Sequence, residues 1–579
     1  MALKNTEKKT DKGDGSNHPF QNMSLHVIYT VFIVVEWFRN VKDIKDADIT
    51  TPVHANRLWD CLEGNPNRDF IVSGFKSGFR IGICRSPNVP VNNINIGRLK
   101  TKNRKAVIDK LNVELSQGRI LGPFSYPPLD YATYSPLYAI PKSEPGKYRL
   151  IHDLSKPAGC SVNENIPDNL KTVHYCTVMQ VAEFLKTEQE LGQNSYHMAK
   201  VDLKDAYRCC PIHKEDWRYL GMQFEDKFLI DTCLPMGLGT SCKIFQSISD
   251  SLCWIFRNEH PECKIFSYLD DFLVLAPTKE QCQTGLSGLL HQLEYLGFPV
   301  SPSKTVSACT HIEFLGLGLD CKTMSFFVPD KKREKITAEI DKFLSSKSQR
   351  VHAFQKLVGK LTFLCMTFLP GKALLSNMYH SLSGVLSSQG WAQRRITNDV
   401  RSDLAMWKSF LAQTEGKPFR FVFPSASDTT MTSDASGAVG YGCVMERFWF
   451  SGLWNDEWWS KQNIALLELI PIYIGTQLWM QKLSNSTITV LTDNESLVAM
   501  INTFFSRERT INKALKYLVA FCMNHNIVLQ AHHLAGKNNV LADKLSRNME
   551  CSDLLPENNI QCEIPDHLLP MAIKHELIM

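Results

Sequence analysis

Apolar runs separated by proline and glycine turns fill residues 120–320. Residues 136–142 and 147–153 are two such runs, joined by a Glu-Pro-Gly turn, and they predict a β-hairpin. Residues 264–268 and 272–276 are rich in β-branched and aromatic side chains, and only Leu-Asp-Asp joins them. This pattern predicts a second, tight hairpin with two acids at its tip.

Helical spacing marks two other stretches. Val107, Leu111 and Leu115 recur every four residues. They lie within residues 98–119, which carry seven basic and two acidic side chains. The pattern predicts an amphipathic helix with a basic face. Residues 331–412 are also mostly helical in pattern and begin with basic side chains.

A different pattern begins near residue 431. Residues 432–444 predict a strand that contains an acid and glycines, and residues 465–474 predict a helix around Glu468. Residues 487–492 predict a strand that ends at Asp493, and a last helix is predicted after Gly536. The alternation of strands and helices indicates a separate α/β domain.

Composition narrows the class of protein. A chain of 579 residues is too long for one core and predicts about two to four domains. With 44% hydrophobic and 21% charged residues, it is neither a disordered tail nor a disulfide miniprotein. The net charge of +5 permits a polyanionic partner without requiring one.

Cysteine usage and hydropathy predict a soluble, intracellular protein of the cytoplasm or nucleus. The 18 cysteines include no Cys-x-x-Cys pair and no Cys/His array with zinc spacing, which indicates reduced thiols. The apolar run at residues 27–35 is too short to span a bilayer and follows a polar start, so we expect no membrane partner.

Three acids form a first candidate site. Asp202 ends the apolar run 198–202, and Asp270 and Asp271 lie at the tip of the second predicted hairpin. Adjacent carboxylates raise each other's proton affinity, so a positive partner must offset them. Two Mg²⁺ ions, roughly 3.5–4 Å apart, would do so and would stabilise the attacking and leaving oxygens of a phosphoryl transfer. An Asp-Asp pair is also common in plain turns, so the acids alone leave both interpretations open.

The motifs around these acids resemble those of a reverse transcriptase over about residues 118–320. Five of them follow in order: Asp202-Leu203-Lys204-Asp205-Ala206-Tyr207, Leu234-Pro235-Met236-Gly237 with Phe245-Gln246, Tyr268-Leu269-Asp270-Asp271, Gly297-Phe298 with Lys304, and Phe314-Leu315-Gly316. The resemblance implies that Asp202, Asp270 and Asp271 bind two catalytic Mg²⁺ ions, with Mn²⁺ as an alternative. It also implies that Tyr207 lies beneath the incoming sugar and collides with a 2′-hydroxyl, which favours deoxynucleotides.

The resemblance extends to other residues near the nucleotide. Lys142 and Arg149 match the basic pair that binds the triphosphate, and Lys304 matches a lysine that protonates the leaving pyrophosphate. Gly237 would let the backbone approach the template and primer. Met236, in the same substrate-binding motif, stands where retroviral enzymes commonly have glutamine, which leaves one polar contact near the nucleotide open but not the chemistry. A lysine in a Pro/Ser loop is also common on plain surfaces, which leaves the role of Lys304 open.

A second acidic set follows, at predicted strand ends and helix starts: Asp434, Glu468, Asp493 and Asp543. Four such carboxylates can converge into a second two-metal site, where an activated water attacks a phosphodiester. Residues 428–548 resemble the ribonuclease H domain that follows retroelement polymerases, and the four acids take its metal-ligand positions. His533 matches a loop histidine that assists product release, although a solvated loop histidine is an equal alternative.

The two resemblances together imply the fold class. We expect an α+β right-hand polymerase with fingers, palm and thumb, followed by an α/β ribonuclease H-like domain with a mixed sheet. The predicted division is a disordered tail (1–22), an N-terminal region with the basic helix (23–117), fingers and palm (118–320), thumb and connection helices (321–415), a linker (416–430), the ribonuclease H-like domain (431–548) and a C-terminal tail (549–579).

The implied function is an RNA-directed DNA polymerase that also degrades the RNA strand of the RNA–DNA hybrid, in retrotransposon replication. Its partners would be an RNA template, the hybrid, a DNA or RNA primer, and dNTPs. Residues 51–58 and 74–79 resemble the region before the polymerase in DIRS-like retroelements, which adds a separately encoded recombinase as a candidate partner.

Two alternatives stay open at this point. A catalytically silent or host-adopted nucleic-acid-binding protein is disfavoured because all seven acids are present. A DNA-templated repair polymerase leaves the second acidic set unexplained.

Overall fold

A computed structural model describes residues 44, 47–84, 101–129, 132–141, 148–193, 195–385, 390–415, 419–423, 429–555 and 557–578, except for the side chains of residues 101–103. The predicted tail 1–22, the apolar run 27–35 and Lys142 lie outside the described residues.

The helices, in chain order, are α1 (Ala55–Cys61), α2 (Arg68–Ser77), α3 (Thr101–Ser116), α4 (Val178–Glu190), α5 (Ser241–Glu259), α6 (Lys279–Leu296), α7 (Asp330–Ser345), α8 (Val351–Leu364), α9 (Ser376–Leu382), α10 (Asn398–Gln413), α11 (Glu457–Ser460), α12 (Ile464–Leu478), α13 (Met480–Leu483), α14 (Glu495–Thr503), α15 (Arg509–His525), α16 (Val540–Ser546) and α17 (Pro570–Ile578).

The strands are β1 (Ile120–Phe124), β2 (Tyr134–Ser135), β3 (Leu137–Pro141), β4 (Tyr148–His152), β5 (His197–Asp202), β6 (Gly221–Phe224), β7 (Lys227–Asp231), β8 (Lys264–Tyr268), β9 (Asp271–Ala276), β10 (Val306–Cys309), β11 (His311–Phe314), β12 (Leu317–Asp320), β13 (Ser325–Phe327), β14 (Ser348–Arg350), β15 (Gln393–Arg395), β16 (Phe419–Arg420), β17 (Thr429–Ala435), β18 (Gly440–Met445), β19 (Phe448–Leu453), β20 (Thr487–Thr492), β21 (Val528–His533) and β22 (Ile560–Gln561).

The chain divides into two compact units. The first draws on Met1–Tyr175, Lys200–Leu273 and Thr284–Val306, and the second on Cys176–Ala199, Val274–Gln283 and Ser307–Met579. Within the part of the chain that the structure describes, no helix is both long and apolar enough to cross a bilayer.

Both predicted hairpins of the first half are confirmed. β3 pairs with β4 in antiparallel register from Leu137–His152 to Pro141–Tyr148. β8 and β9 are neighbours in a four-stranded sheet with the order β10-β5-β9-β8. A second sheet of the first unit has the order β1-β7-β6-β2.

The predicted basic amphipathic helix is confirmed as α3. Val107 and Leu111 are buried, and Leu115 packs against the same cluster, which includes Ile120 of β1. The helix therefore covers the sheet with one face. On its other side, Arg104 pairs with Glu225.

The second unit ends in a mixed six-stranded sheet with the order β21-β20-β17-β18-β19-β22. β17, β20 and β21 run parallel, whereas β17–β18 and β18–β19 are antiparallel pairs. The helix predicted around Glu468 is confirmed as α12, and it is buried along most of its length. An α+β fold with a mixed sheet at the C-terminal end is therefore present.

One predicted strand is wrong. Residues 432–444 form parts of two strands, β17 and β18, because the Ser436 N–H donates to the Gly440 carbonyl and closes a hairpin. The predicted linker 416–430 is also more ordered than its composition suggests where it is described. β16 pairs with β13, and Phe421, Val422 and Phe423 are buried.

Candidate functional site

The first acidic set lies where β5 and β9 run side by side. β5 ends at Asp202, and β9 begins at Asp271. The Leu203 N–H donates to the Asp270 carbonyl at 2.9 Å, which ties the end of β5 to the hairpin turn. The sheet thus brings together three acids that are far apart in sequence, although their roles remain predictions.

Burial disfavours the charged form of two carboxylates in this region. Burial raises the pKa of Asp270, and the Asp202 charge raises it further. Burial likewise raises the pKa of Asp271 to about 6, although Lys200 opposes that shift. The Asp271 Oδ1 atom is buried without a hydrogen-bond partner, and the Lys200 ammonium is 3.9 Å from it. Such a surplus of carboxylate oxygen suits a hard divalent cation.

Lys304 and Arg149 bring positive charge to the acids. The Lys304 ammonium donates to both oxygens of Asp202, at 2.8 and 3.0 Å. Burial alone would lower the pKa of Lys304, but its bond to Asp202 and the nearby carboxylates raise it. Arg149 is exposed on β4, and its charge lowers the pKa of Asp270. Lys142, its predicted partner in binding the triphosphate, lies outside the described residues.

Helix α5 holds the Asp-Asp turn in place. Leu269 has a left-handed backbone (φ 53°), which a residue of this type adopts only when its surroundings impose it. Its N–H donates to Gln246 Oε1 at 2.9 Å, and its carbonyl accepts from the Ser249 hydroxyl at 2.7 Å. Gln246 belongs to one of the predicted motifs, whereas Ser249 was not predicted. The available signal was two polar residues on the buried face of an amphipathic helix.

Tyr207 lies in a short 3-10 helix, Ala206–Cys209, directly after the first acid. Its ring packs edge to face on Phe245 of α5, with centroids 5.4 Å apart. Burial raises the pKa of its hydroxyl, and the charge of Asp270 is among the smaller contributions.

Met236 and Gly237 support the β3–β4 hairpin. The Met236 carbonyl accepts from the His152 N–H at 3.0 Å. Gly237 has φ 123°, and a Cβ there would lie 2.0 Å from the His152 carbonyl oxygen. Packing against β4 is therefore sufficient to require glycine at this position. The contact of Gly237 with a template stays a prediction.

A buried ionic network beneath Tyr207 was not predicted. The guanidinium of Arg208 donates to Asp231 at 2.7 Å, to Glu114 at 2.9 Å and to the Arg119 carbonyl at 3.1 Å. Burial raises the pKa of Asp231 to about 6, and Arg208 opposes that shift. The network links α3, β7 and the 3-10 helix. Its only sequence signal was a lone acid at the end of an apolar strand.

The second acidic set lies at the centre of the six-stranded sheet. Asp434 is near the end of β17, and Asp493 directly follows β20, the parallel neighbour of β17. Glu468 projects from the buried helix α12, and Asp543 lies on α16. Asp434 and Glu468 are only 7% and 6% exposed, so their charges lie largely out of water.

The acids of the second set influence one another's pKa values. Burial raises the pKa of Asp434, and the charges of Asp493 and Asp543 add to the rise. Burial raises the pKa of Glu468 to about 7, with further contributions from Asp493 and Asp434. Asn494 and Thr492 donate hydrogen bonds to Glu468, the latter at 3.1 Å, and these bonds oppose the shift.

Two residues at the C-terminal end of α16 bind the acids and were not predicted. The Ser546 hydroxyl donates to Asp434 Oδ2 at 2.6 Å, and Arg547 donates to Asp543 Oδ1 at 2.8 Å. α16 reaches the sheet because Gly442 has no side chain: a Cβ there would lie 2.4 Å from the Cβ of Leu545.

His533 ends β21, opposite Thr492 in the parallel register, and its side chain is exposed. Asp493 directly follows Thr492, so His533 and Asp493 differ by one residue in the register of the neighbouring strands. Its predicted part in product release remains a prediction.

Neither acidic set encloses a metal position with the side chains as they stand. Among the described residues, no three His, Cys, Asp or Glu side chains are arranged to hold an ion. Protein donors bind three of these acids: Lys304 donates to Asp202, Ser546 to Asp434, and Thr492 to Glu468. The carboxylate oxygens of both sets are nevertheless the kind of ligand that Mg²⁺ prefers.

Comparison with known proteins places the first set in a family. Residues 140–319 match the family model described as reverse transcriptase (RNA-dependent DNA polymerase). The chain is 26% identical over 267 residues to the Pol polyprotein of Feline endogenous virus ECE1. This match covers 45% of this chain and 23% of that protein. Residues 140–319 are thus similar to reverse transcriptases, and the chain is related to retroviral Pol. The chain spans less than a quarter of the length of that relative.

Two solved structures are also similar. One is the foamy viral protease-reverse transcriptase dRH in complex with double-stranded DNA, at 14% identity and a TM-score of 0.47, covering 83% of this chain and 81% of that chain. The other is the foamy viral protease-reverse transcriptase in complex with an RNA/DNA hybrid, at 15% identity and a TM-score of 0.46, covering 86% and 63%.

Proposed function

We propose that the chain is an RNA-directed DNA polymerase that extends a primer at Asp202, Asp270 and Asp271. The observation that carries the proposal is that these three acids lie where β5 ends beside the start of β9, with Lys304 bound to Asp202. All four residues lie within the segment that matches the reverse transcriptase family.

The donor set supports a metal-dependent reaction. Asp271 Oδ1 has no hydrogen-bond partner, and the pKa values of Asp270 and Asp271 are raised chiefly by burial. Two Mg²⁺ ions, or Mn²⁺ in their place, would supply charge neutralisation for an in-line attack on a phosphate. The three carboxylates would hold them.

The neighbouring side chains supply the remaining roles. Arg149 on β4 lowers the pKa of Asp270 through its charge, and it would bind the triphosphate together with Lys142. Lys304 carries a proton at Nζ beside the acids and would donate it to the leaving pyrophosphate. Tyr207 would contact the sugar and exclude a 2′-hydroxyl. The substrates are then dNTPs, an RNA template and a DNA or RNA primer.

Primer extension on an RNA template tests this proposal. With Mg²⁺ present, the wild type should extend a labelled DNA primer, whereas Asp270→Asn with Asp271→Asn should lose at least about a thousandfold in rate, as expected when a metal site is removed. Asp226→Asn is a matched control, since Asp226 is exposed on a β-turn. Equal extension by the wild type and the double variant would refute the assignment.

We further propose a ribonuclease H activity at Asp434, Glu468, Asp493 and Asp543. The support is their arrangement around the centre of the mixed sheet, where Asp493 and Asp543 raise the pKa of Asp434, and Asp493 and Asp434 raise that of Glu468. These acids would hold two Mg²⁺ ions that activate water against the RNA strand of a hybrid. His533 would assist product release from the neighbouring strand end.

Cleavage of an RNA–DNA hybrid separates this activity from the polymerase. Asp493→Asn should abolish RNA cleavage and leave primer extension on a DNA template unchanged. Asp553→Asn, at an exposed position in the same unit, should change neither. Cleavage that survives Asp493→Asn would exclude this second site.

The element to which the chain belongs is also a proposal. Residues 51–58 and 74–79 support a DIRS-like retrotransposon, whose replication would use both activities and a separately encoded recombinase. The division into fingers, palm, thumb and ribonuclease H-like domain is part of this proposal. Finding a recombinase open reading frame beside the coding sequence would support this assignment, and a retroviral integrase there would overturn it.

A further inference from the structure

Tyr207 is held at two points by a single helix. Its hydroxyl lies 3.2 Å from the Cys242 sulfur, in the first turn of α5. Its ring packs on Phe245, one turn further along the same helix. The phenol is therefore fixed both at its polar end and along its ring.

The Cys242 sulfur also serves a second tyrosine. Cys242 contributes to the raised pKa of Tyr175, whose ring packs on Tyr268 with centroids 4.7 Å apart. Burial raises the pKa of both Tyr207 and Tyr175, and the contact with Cys242 adds to the rise. Both hydroxyls therefore keep their protons and can donate to the sulfur, which accepts weakly.

Helix α5 connects this cluster to the acids. The helix binds the Leu269 backbone through Gln246 and Ser249, and Leu269 lies between Tyr268 and Asp270. The position of the Tyr207 ring relative to the acids is thus set by contacts from the same helix.

We propose that Cys242 is a positioning residue for nucleotide selection: its thiol fixes the Tyr207 hydroxyl, so that the ring cannot move aside for a ribose 2′-hydroxyl. The inference rests on the proposed polymerase function. A ring held only by Phe245 could tilt, because an edge-to-face contact constrains direction less than a hydrogen bond does. The selection of deoxynucleotides over ribonucleotides should therefore depend on Cys242, which does not itself touch the nucleotide.

Single-nucleotide incorporation measures this dependence. The readout is the ratio of kcat/KM for a dNTP to that for the matching rNTP, with wild type, Cys242→Ala, Cys242→Ser, Tyr207→Phe and the Cys242→Ala/Tyr207→Phe pair. One net hydrogen bond corresponds to roughly 2- to 10-fold, so Cys242→Ala and Tyr207→Phe should each lower the ratio by about that factor. The pair should lower it no further, and Cys242→Ser should restore most of it.

The controls separate this idea from the proposed function. Cys84→Ala removes an exposed thiol and should leave the ratio unchanged. If the wild type prefers dNTPs and Cys242→Ala keeps the same ratio, the positioning role is refuted and the polymerase stands. An additive loss in the pair would also refute it, since the two groups would then act separately. A wild type that incorporates no nucleotide overturns the polymerase assignment and this inference with it.

Discussion

Replacing Glu468 with glutamine should stabilise the metal-free protein while it disables the second acidic site. Burial raises the pKa of Glu468 from 4.5 to about 7, with Asp493 and Asp434 adding to the rise. At about 1.4 kcal/mol for each pKa unit, the ionised carboxylate costs the fold roughly 3 kcal/mol at pH 8. Glutamine has nearly the same shape and can still accept from Thr492. We therefore expect Glu468→Gln to raise the free energy of unfolding by about 1–3 kcal/mol at pH 8.

The gain should depend on pH with a defined sign. Because the pKa of Glu468 is higher in the folded state than in the unfolded chain, the folded state binds the proton more tightly. Below about pH 4.5 the carboxyl is protonated in both the folded and the unfolded state, so the full stability of the fold is present. This stability is lost as the pH rises from there through about 7, where the buried carboxyl ionises. The advantage of the glutamine variant should therefore fall below about 1 kcal/mol at pH 5.

Urea unfolding in the presence of EDTA measures the effect. Tryptophan fluorescence reports on this unit because Trp454 and Trp459 stack within its core. Glu563→Gln, at an exposed position, is the matched control and should change nothing. Millimolar Mg²⁺ should narrow the gap at pH 8, since it binds the folded wild type better than the variant. A variant that is no more stable than the wild type at pH 8, or equally favoured at pH 5, would contradict the argument.

Three other predictions concern packing and charge. Lys516→Met leaves Asp403 buried without its cation, so the free energy of unfolding should fall by about 3–5 kcal/mol. Adding Asp403→Leu should recover most of this loss. A larger loss in the double variant would contradict the prediction. Arg208→Met should lower the free energy of unfolding by a similar amount. This loss should be smaller at pH 5, where Asp231 is protonated, whereas a loss caused by packing alone would not depend on pH. Gly442→Ala should push α16 off the sheet and lower hybrid cleavage at least about tenfold, with primer extension unchanged on the same preparation.

Local patterns were sufficient for the elements that carry the acids. The β3–β4 hairpin follows from two apolar runs around a Glu-Pro-Gly turn, and α3 follows from apolar residues every four positions. Asp202 and Asp493 end predicted strands in the structure as well. In each case the signal is a short-range periodicity or a turn residue, which acts within one element. Residues 432–444 were predicted as one strand instead of two because the turn between β17 and β18 is short and made of small residues, which disturb the strand pattern only weakly.

The residues that hold the acids in place could not be found in this way. Ser249, Ser546 and Arg208 each bond to a group that is brought near only by tertiary packing, and serine in a helix has many ordinary roles. The partners of Arg208 lie on α3 and β7, which are distant in sequence. A polar residue on the buried face of an element was the only local sign of such a role.

The two acidic sets share a physical requirement that explains these donors. Carboxylates placed together out of water destabilise the fold unless something offsets their charge, and the protein must fold whether or not a cation is bound. Lys304 on Asp202 and Ser546 on Asp434 provide part of that offset from the chain itself. A bound cation would provide the same offset, so donor and cation compete for the same oxygens. Removing Ser546 should therefore cost more stability in EDTA than in Mg²⁺, and an equal cost in both would show that the hydroxyl acts only through packing.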